Sequence, residues 1–93
     1  MPTHAVELSS RALEDLRAVS RDVTGRILKK LRELEERPFP RGDTVKQLQG
    51  FETPTYRLRI GDYRAVYRSR GTIVVILRII HRGELNRALR DLM

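Results

Sequence analysis

The sequence predicts a single α+β domain over residues 1–93. An N-terminal strand and an antiparallel helical hairpin pack on a mostly antiparallel sheet of about four strands, and a short C-terminal helix follows. Three observations support this class. A 93-residue chain has too little apolar surface to close two cores. Its composition, 40% hydrophobic and 33% charged, is typical of a globular chain. The hydrophobic period is helical in the first half and alternating in the second.

The first half of the chain predicts one strand and two helices. His4 to Leu8 is a short extended candidate, and Ser9 and Ser10 then offer N-cap oxygens for the first helix. Glu14 and Asp15 are expected in its first turn, where the macrodipole favours anions. Pro38 ends the second helix. The apolar positions recur at helical spacing and are Ala12, Leu13, Leu16 and Val19 in the first helix and Val23, Ile27, Leu28, Leu31 and Leu34 in the second.

The second half predicts a β-hairpin followed by a central strand. Apolar and basic residues alternate from Tyr56 to Ile60, Gly61-Asp62 is a two-residue turn of the Gly-first type, and alternation resumes at Tyr63. A second turn lies at Arg70-Gly71. Ile73 to Ile80 is then almost wholly apolar and β-branched, as in a strand covered on both faces.

Two further segments complete the predicted fold. Residues 38–55 hold three of the four prolines and two glycines, so they form an irregular connection in which Val45 to Leu48 is a candidate for a brief extended stretch. Glu84 to Leu92 is a short amphipathic helix or tail. The expected order is therefore β-α-α-β-β-β-α.

The turn at Gly61-Asp62 gives the hairpin two chemically different faces, because cross-strand partners share a face. The core face carries Tyr56, Leu58, Ile60, Tyr63, Ala65 and Tyr67. The opposite face, the arginine face, carries Arg57, Arg59, Arg64, Val66 and Arg68. Asp62 is the only nearby counter-charge. Opposed like charges cost up to about 1 kcal/mol, so this face predicts a phosphate-binding surface. The alternative is that arginine is simply the preferred outward residue of a chain that contains sixteen.

Composition narrows the partners and excludes several classes of protein. The net charge of +7 favours a polyanion, either nucleic acid or an acidic protein, over an anionic membrane. The absence of cysteine excludes disulfides and thiolate metal sites. No nucleotide-binding, hydrolase or metalloprotease motif is present, so neither cofactor nor metal is predicted. No secretory signal or membrane span is visible, and we expect a cytoplasmic protein.

His81-Arg82 directly follows the central strand, where side chains reach the end of a sheet. An imidazole titrates near neutral pH and suits proton transfer, although a single histidine is often structural. Arginine does not give up its proton in proteins. The arginines would therefore orient a phosphate and stabilise developing charge, with His81 as the titrating partner.

The stretch YRLRIGDYRAVY, from Tyr56 to Tyr67, resembles the toxins of the RelE/ParE superfamily, as do KQLQG before it and VVILRIIHR after it. The resemblance covers nearly the whole chain. It implies a toxin that a cognate antitoxin holds inactive in a toxin–antitoxin hetero-oligomer. In the RelE branch it also implies cleavage of mRNA in the A site of the 30S subunit. There the ribose 2′-hydroxyl attacks the adjacent phosphate without a metal.

Carried over by position, the resemblance implies a set of catalytic residues. Four arginines would bind and polarise the scissile phosphate, and a histidine would act as acid or base: Arg57, Arg59, Arg64, Arg82 and His81. Four further basic residues are predicted to contact RNA: Lys46, Arg68, Arg78 and Arg87.

The chain departs from the RelE pattern at three places. Asn86 stands where a tyrosine often assists the chemistry, Gly83 where a second basic residue is frequent, and arginines where some relatives have two strand lysines. Two alternatives therefore stay open. One is a ParE-like toxin that inhibits DNA gyrase without cutting RNA, and the other is a basic nucleic-acid-binding module.

Overall fold

A computed structural model describes all 93 residues as one five-stranded sheet with helices on both faces. The strand order is β1-β5-β4-β3-β2; β1 runs parallel to β5, and the other neighbouring pairs are antiparallel. The elements are β1 (Ala5–Leu8), α1 (Ser10–Arg17), α2 (Arg21–Arg32), a 3₁₀ turn (Glu33–Glu35), β2 (Val45–Leu48), β3 (Thr55–Ile60), β4 (Tyr63–Arg70), β5 (Ile73–His81), a second 3₁₀ turn (Arg82–Glu84) and α3 (Leu85–Leu92).

The sheet confirms the predicted α+β class and contains one strand more than expected. The predicted hairpin register is present, with Arg59 opposite Arg64 and Ile60 opposite Tyr63. Gly61 has φ +56°, a conformation that a side chain would strain. The additional strand is β2, which lies in the segment expected to be irregular and pairs along its whole length with β3. Pairing between two separate segments of the chain is not visible in local composition.

The N-cap of α1 is confirmed, whereas the expected acidic first turn is wrong. The Oγ of Ser9 accepts a 3.0 Å hydrogen bond from the backbone N–H of Ala12. Because α1 begins at Ser10, Glu14 and Asp15 lie beyond its first turn, which contains no acidic residue. The carboxylate of Asp15 instead accepts a hydrogen bond from the backbone of β5.

The main core lies between the two N-terminal helices and one face of the sheet. The helix α1 lies against β5, and α2 lies against β3. The predicted core face of the hairpin faces this core, with Leu58, Ala65 and Tyr67 fully buried. The hydroxyl of Tyr67 donates to the carbonyl of Pro38 at 2.8 Å, so its polar end is satisfied inside the core.

A second, smaller core covers part of the opposite face. Val66, Ile80 and Ala88 are buried there, because α3 packs back across the sheet. Partly buried leucines surround them: Leu48, Leu77, Leu85, Leu89 and Leu92. The face that carries the arginines is therefore not uniformly open, because α3 covers the part of it around Val66 and Ile80. None of the helices is long and apolar enough to cross a bilayer.

Candidate nucleic-acid interface

One end of the sheet brings together the four arginines that the sequence predicts as catalytic. Arg57 and Arg59 lie on β3, and Arg64 lies on β4 directly opposite Arg59. Arg82 follows β5, and its backbone N–H donates to the carbonyl of Asp62 at 2.8 Å, which brings Arg82 to the hairpin turn. These four residues, the arginine cluster, are up to 25 positions apart in sequence and meet because three antiparallel strands begin or end here.

Arg64 lies at the centre of this cluster. Its Nη1 donates to the carbonyls of Gly61 and Tyr63, each at 2.8 Å, which holds the side chain against the turn. Burial first, and then the positive charges of Arg57, Arg59 and Arg82, lower the pKa of Arg64. Its charge is therefore destabilised by its neighbours, and a bound anion would relieve that repulsion.

An acidic residue that the sequence does not place here also belongs to this end of the sheet. The Oδ2 of Asp43 lies 2.6 Å from Nη1 of Arg59. Its Oδ1 lies 3.2 Å from both Nη2 of Arg57 and Nζ of Lys46. Hydrogen bonds from Lys46, Arg59 and Arg57 lower the pKa of Asp43 to about 2. The carboxylate is consequently ionised at neutral pH.

The expectation that Asp62 is the only nearby counter-charge is therefore wrong. The physical reason is the register of the unexpected strand. Val45 pairs with Leu58, and this lays the turn that contains Asp43 beside the arginines of β3. A predicted strand at residues 45–48, paired with β3, would have indicated that Asp43 lies beside these arginines. Asp62 itself is less closely engaged, since its Oδ1 lies 3.8 Å from Nε of Arg82 and both side chains are largely exposed.

His81 is exposed beside the cluster and forms an N-cap. Its Nδ1 accepts a 3.2 Å bond from the backbone N–H of Gly83, and its ring meets the ring of Tyr63 edge-on at 5.6 Å. Since Nδ1 is the acceptor, Nε2 carries the proton of the neutral ring. Protonation of Nδ1 would remove the bond to Gly83. The geometry therefore couples the charge of the ring to the 3₁₀ turn that carries Arg82.

Of the four residues predicted to contact RNA, only Lys46 joins the arginine cluster, through Asp43. Arg68 donates to the hydroxyl of Thr55 at 2.9 Å, and its guanidinium lies over the ring of Phe51.

The other two lie nearer to α3. Arg78 forms a two-pronged ion pair with Asp15, at 2.8 and 3.2 Å, and each side chain is only 14% exposed. Arg87 is exposed on α3, as is Asn86 at the position of the tyrosine that RelE enzymes often carry. Contacts of Arg68, Arg78 and Arg87 with RNA stay predictions.

The chemistry available at this site is that of charge and proton transfer. The cluster presents planar donors that suit two-point contact with phosphate oxygens. The imidazole of His81 adds a group that can carry a proton. No group of three or more His, Asp or Glu side chains is arranged to hold a metal ion.

Comparisons with known proteins find a matching family and similar folds. The family model described as "ParE toxin of type II toxin-antitoxin system, parDE" matches residues 6–86. A chain of the archaeal RelE–RelB complex from Pyrococcus horikoshii is 29% identical, with a TM-score of 0.72 over 87% of this chain and 97% of that one. A chain of the toxin–antitoxin complex RelBE2 from Mycobacterium tuberculosis is 28% identical, with a TM-score of 0.75 over 88% and 100%. A chain of the Escherichia coli RelBE complex is 29% identical, with a TM-score of 0.65 over 82% and 93%. No curated protein sequence matches this chain.

Proposed function

The chain belongs to the family of ParE toxins of type II toxin–antitoxin systems, within the RelE/ParE superfamily, and we propose that it is a ribosome-dependent endoribonuclease of the RelE type. The substrate is mRNA in the ribosomal A site, so the protein acts in the cytoplasm. The ribose 2′-hydroxyl attacks the adjacent phosphorus, the bond to the 5′-oxygen breaks, and a cyclic phosphate and a 5′-hydroxyl result.

The observation that supports this proposal best is the convergence of the arginine cluster on an exposed end of the sheet. Phosphate cleavage by an internal hydroxyl builds negative charge on the phosphate oxygens in the transition state. Preorganised cations stabilise such charge most when they are fixed before the reaction, as Arg64 is by its two carbonyl bonds. A toxin that only occupies a protein surface would not require four arginines in this arrangement.

The proton of the attacking 2′-hydroxyl passes to water. His81 is proposed to supply, from its imidazolium form, the proton that the 5′-oxygen takes up as it leaves. Its Nε2 is free of other bonds and lies at the end of β5, one residue before Arg82. Arginine cannot fill this role, because it stays protonated throughout. The proposal needs no metal.

The similar solved structures also support a partner for this chain. The three reported above, from Pyrococcus horikoshii, Mycobacterium tuberculosis and Escherichia coli, are all toxin–antitoxin complexes. We therefore propose that a cognate antitoxin binds this toxin and forms a hetero-oligomer with it.

A cleavage assay on ribosomes programmed with mRNA, with primer extension across the A-site codon, tests the activity. Arg64→Ala and Arg82→Ala should each reduce cutting by about a hundredfold or more and abolish growth arrest. Arg90→Ala, which removes an exposed arginine of α3 outside the cluster, should cut normally. Full cutting by Arg64→Ala would contradict the proposal.

The second candidate is a toxin that inhibits DNA gyrase without cutting RNA, and the description of the matching family favours it. A supercoiling assay with purified gyrase separates the two. If the protein inhibits supercoiling and leaves mRNA on the ribosome uncut, gyrase inhibition is its function and the RelE-type activity is refuted. A basic nucleic-acid-binding module would bind RNA and show neither effect.

A further inference from the structure

The carboxylate of Asp43 occupies the position at which an anion would meet Arg59 and Lys46. Its two oxygens contact Arg57, Arg59 and Lys46 at 2.6 to 3.2 Å. Those are the distances at which a phosphate oxygen would bind the same donors. Any phosphate that uses these side chains must therefore share or replace the bonds that Asp43 already makes.

The turn that carries Asp43 is fixed by its backbone. Its carbonyl accepts from Nη1 of Arg57 at 2.8 Å. The carbonyl of Thr44 accepts from the backbone N–H of Arg59, also at 2.8 Å. The backbone of this turn is therefore held beside the cluster by bonds other than the ion pairs of the carboxylate.

The three cations that contact Asp43 are not equivalent. The side chain of Arg57 is 12% exposed and bonds both the backbone and the carboxylate of Asp43. Arg59 and Lys46 are 53% and 55% exposed, and each reaches only the carboxylate. Exposed ion pairs of this kind are weak and exchange partners readily. Arg57 thus anchors the turn, whereas the other two side chains are free to move to another anion.

We propose that Asp43 is an internal competitor that an incoming phosphate displaces from Arg59 and Lys46, while Arg57 keeps the turn in place. When phosphate binds, Arg59 and Lys46 exchange their contacts with the Asp43 carboxylate for contacts with phosphate. A small anion that makes only this exchange therefore gains little binding free energy. A chain of successive phosphates gains more binding free energy, because its other phosphates contact Arg64 and Arg82 at the same time. Asp43 therefore selects a polynucleotide over small anions. The proposal rests on the proposed function only in taking the bound phosphate chain to be RNA.

The test compares binding of a fluorescent twelve-nucleotide single-stranded DNA to the wild-type protein and to Asp43→Asn. The probe lacks the 2′-hydroxyl, so it is bound without being cut. Loss of the competing charge should tighten binding about three- to tenfold. Glu14→Gln removes the same charge from an exposed position on α1 and should leave the affinity close to that of the wild type.

A double-mutant cycle identifies the side chain through which Asp43 acts. In an Arg59→Ala background, Asp43→Asn should give a smaller gain, because the cation that it would release is absent. Asp43→Ala, tested in the wild-type and Arg59→Ala backgrounds, shows whether the effect depends on the amide that Asp43→Asn introduces. Circular dichroism verifies that each variant is folded.

The outcomes separate this proposal from the proposed function. The competitor role of Asp43 would be overturned if the wild type and both Asp43 variants bound the probe equally well. It would also be overturned if Glu14→Gln gained as much affinity as Asp43→Asn, or if none of these proteins bound the probe. A gain at Asp43 in a protein that cuts no mRNA would refute the nuclease activity and leave the competitor role intact.

Discussion

Arg64 shows how a single residue acquires its properties from its neighbours. Two carbonyl bonds fix its guanidinium, and burial together with three other arginines lowers its pKa. The carbonyl bonds come from the adjacent turn, whereas the three arginines come from β3 and from the end of β5. A protein that only needed solubility would not concentrate like charge at one half-buried position. The repulsion at Arg64 is a reason to expect an anionic ligand.

His81 offers a prediction that separates proton transfer from helix capping. The amide oxygen of an asparagine at this position would lie where Nδ1 now meets Gly83, so His81→Asn should keep the cap and lose the titrating group. His81→Gln should lose the cap as well. We expect both variants to cut mRNA at least about tenfold more slowly and to show a changed pH–rate profile, because neither amide can transfer a proton.

Thermal unfolding separates the two histidine variants further, since only His81→Gln should lower the midpoint. A rate in His81→Asn equal to that of the wild type, with an unchanged pH profile, would assign His81 a structural role alone.

The lowered pKa of Asp43 predicts how the free energy of unfolding depends on pH. Its pKa is about 2 in the folded protein because Lys46, Arg59 and Arg57 bond its charged form. An unfolded Asp titrates near about 4, so the folded state binds this proton less readily. The stabilisation is present above pH about 4 and is lost as pH falls towards about 2. Urea unfolding midpoints between about pH 5 and 2 should therefore fall less steeply in Asp43→Asn than in the wild type. Parallel curves would contradict this assignment.

At the scale of the elements, β1 ends before β5 does, and α1 compensates for the difference. The parallel pairing stops at Leu8 opposite Ile76, which leaves the backbone N–H of Ile79 without a strand partner on that edge. The carboxylate of Asp15 accepts from that N–H at 2.9 Å and also binds Arg78. One acidic side chain thus joins the helix to the uncovered part of β5.

Replacement of Asp15 should therefore destabilise the fold. Asp15→Ala leaves a guanidinium and a backbone N–H without partners in a part of the molecule that is largely shielded from water, and we expect a loss of about 2–4 kcal/mol in the free energy of unfolding. Denaturation with urea measures it. Adding Arg78→Met should recover part of the loss, because the unpaired charge is removed as well. Glu14→Gln, on the neighbouring exposed position, should change stability little.

The C-terminal helix defines the usable part of the arginine face. The helix α3 covers Val66 and Ile80 and leaves open the end of the sheet near the β3–β4 turn, where the arginine cluster lies. The candidate site is therefore formed by the hairpin turn, the strand residues beside it and the 3₁₀ turn that carries Arg82.

At the scale of the whole molecule, charge should govern binding. The net charge of +7 lies mostly in residues 47–93, which hold nine Lys and Arg against four Asp and Glu. If Arg59, Lys46, Arg64 and Arg82 each contact one phosphate, the logarithm of the binding constant for a single strand should fall against the logarithm of salt concentration with a slope of about −3. Arg64→Ala should make the slope shallower by about 0.7, whereas Arg90→Ala should leave it unchanged. A slope near zero would exclude phosphate contacts by the cluster.

The sequence by itself determined the features that depend on neighbouring residues. The turn at Gly61, the register of the hairpin, the separation of its two faces and the cap at Ser9 all follow from backbone sterics and from side chains within a few positions of one another. The opposition of Arg59 and Arg64 also follows from that register, whereas Arg82 joins them through the pairing of β5 with β4.

Only the tertiary structure decided the features that join separate parts of the chain. These are the pairing of β2 with β3, the position of Asp43 beside Arg57, the ion pair of Asp15 with Arg78 and the cover of α3 over Val66. Asp43 and Arg57 are 14 positions apart, and Asp15 and Arg78 are 63 apart. Local pattern carries no information about such pairs, because their free energy comes from burial and charge neutralisation that exist only once the sheet has assembled.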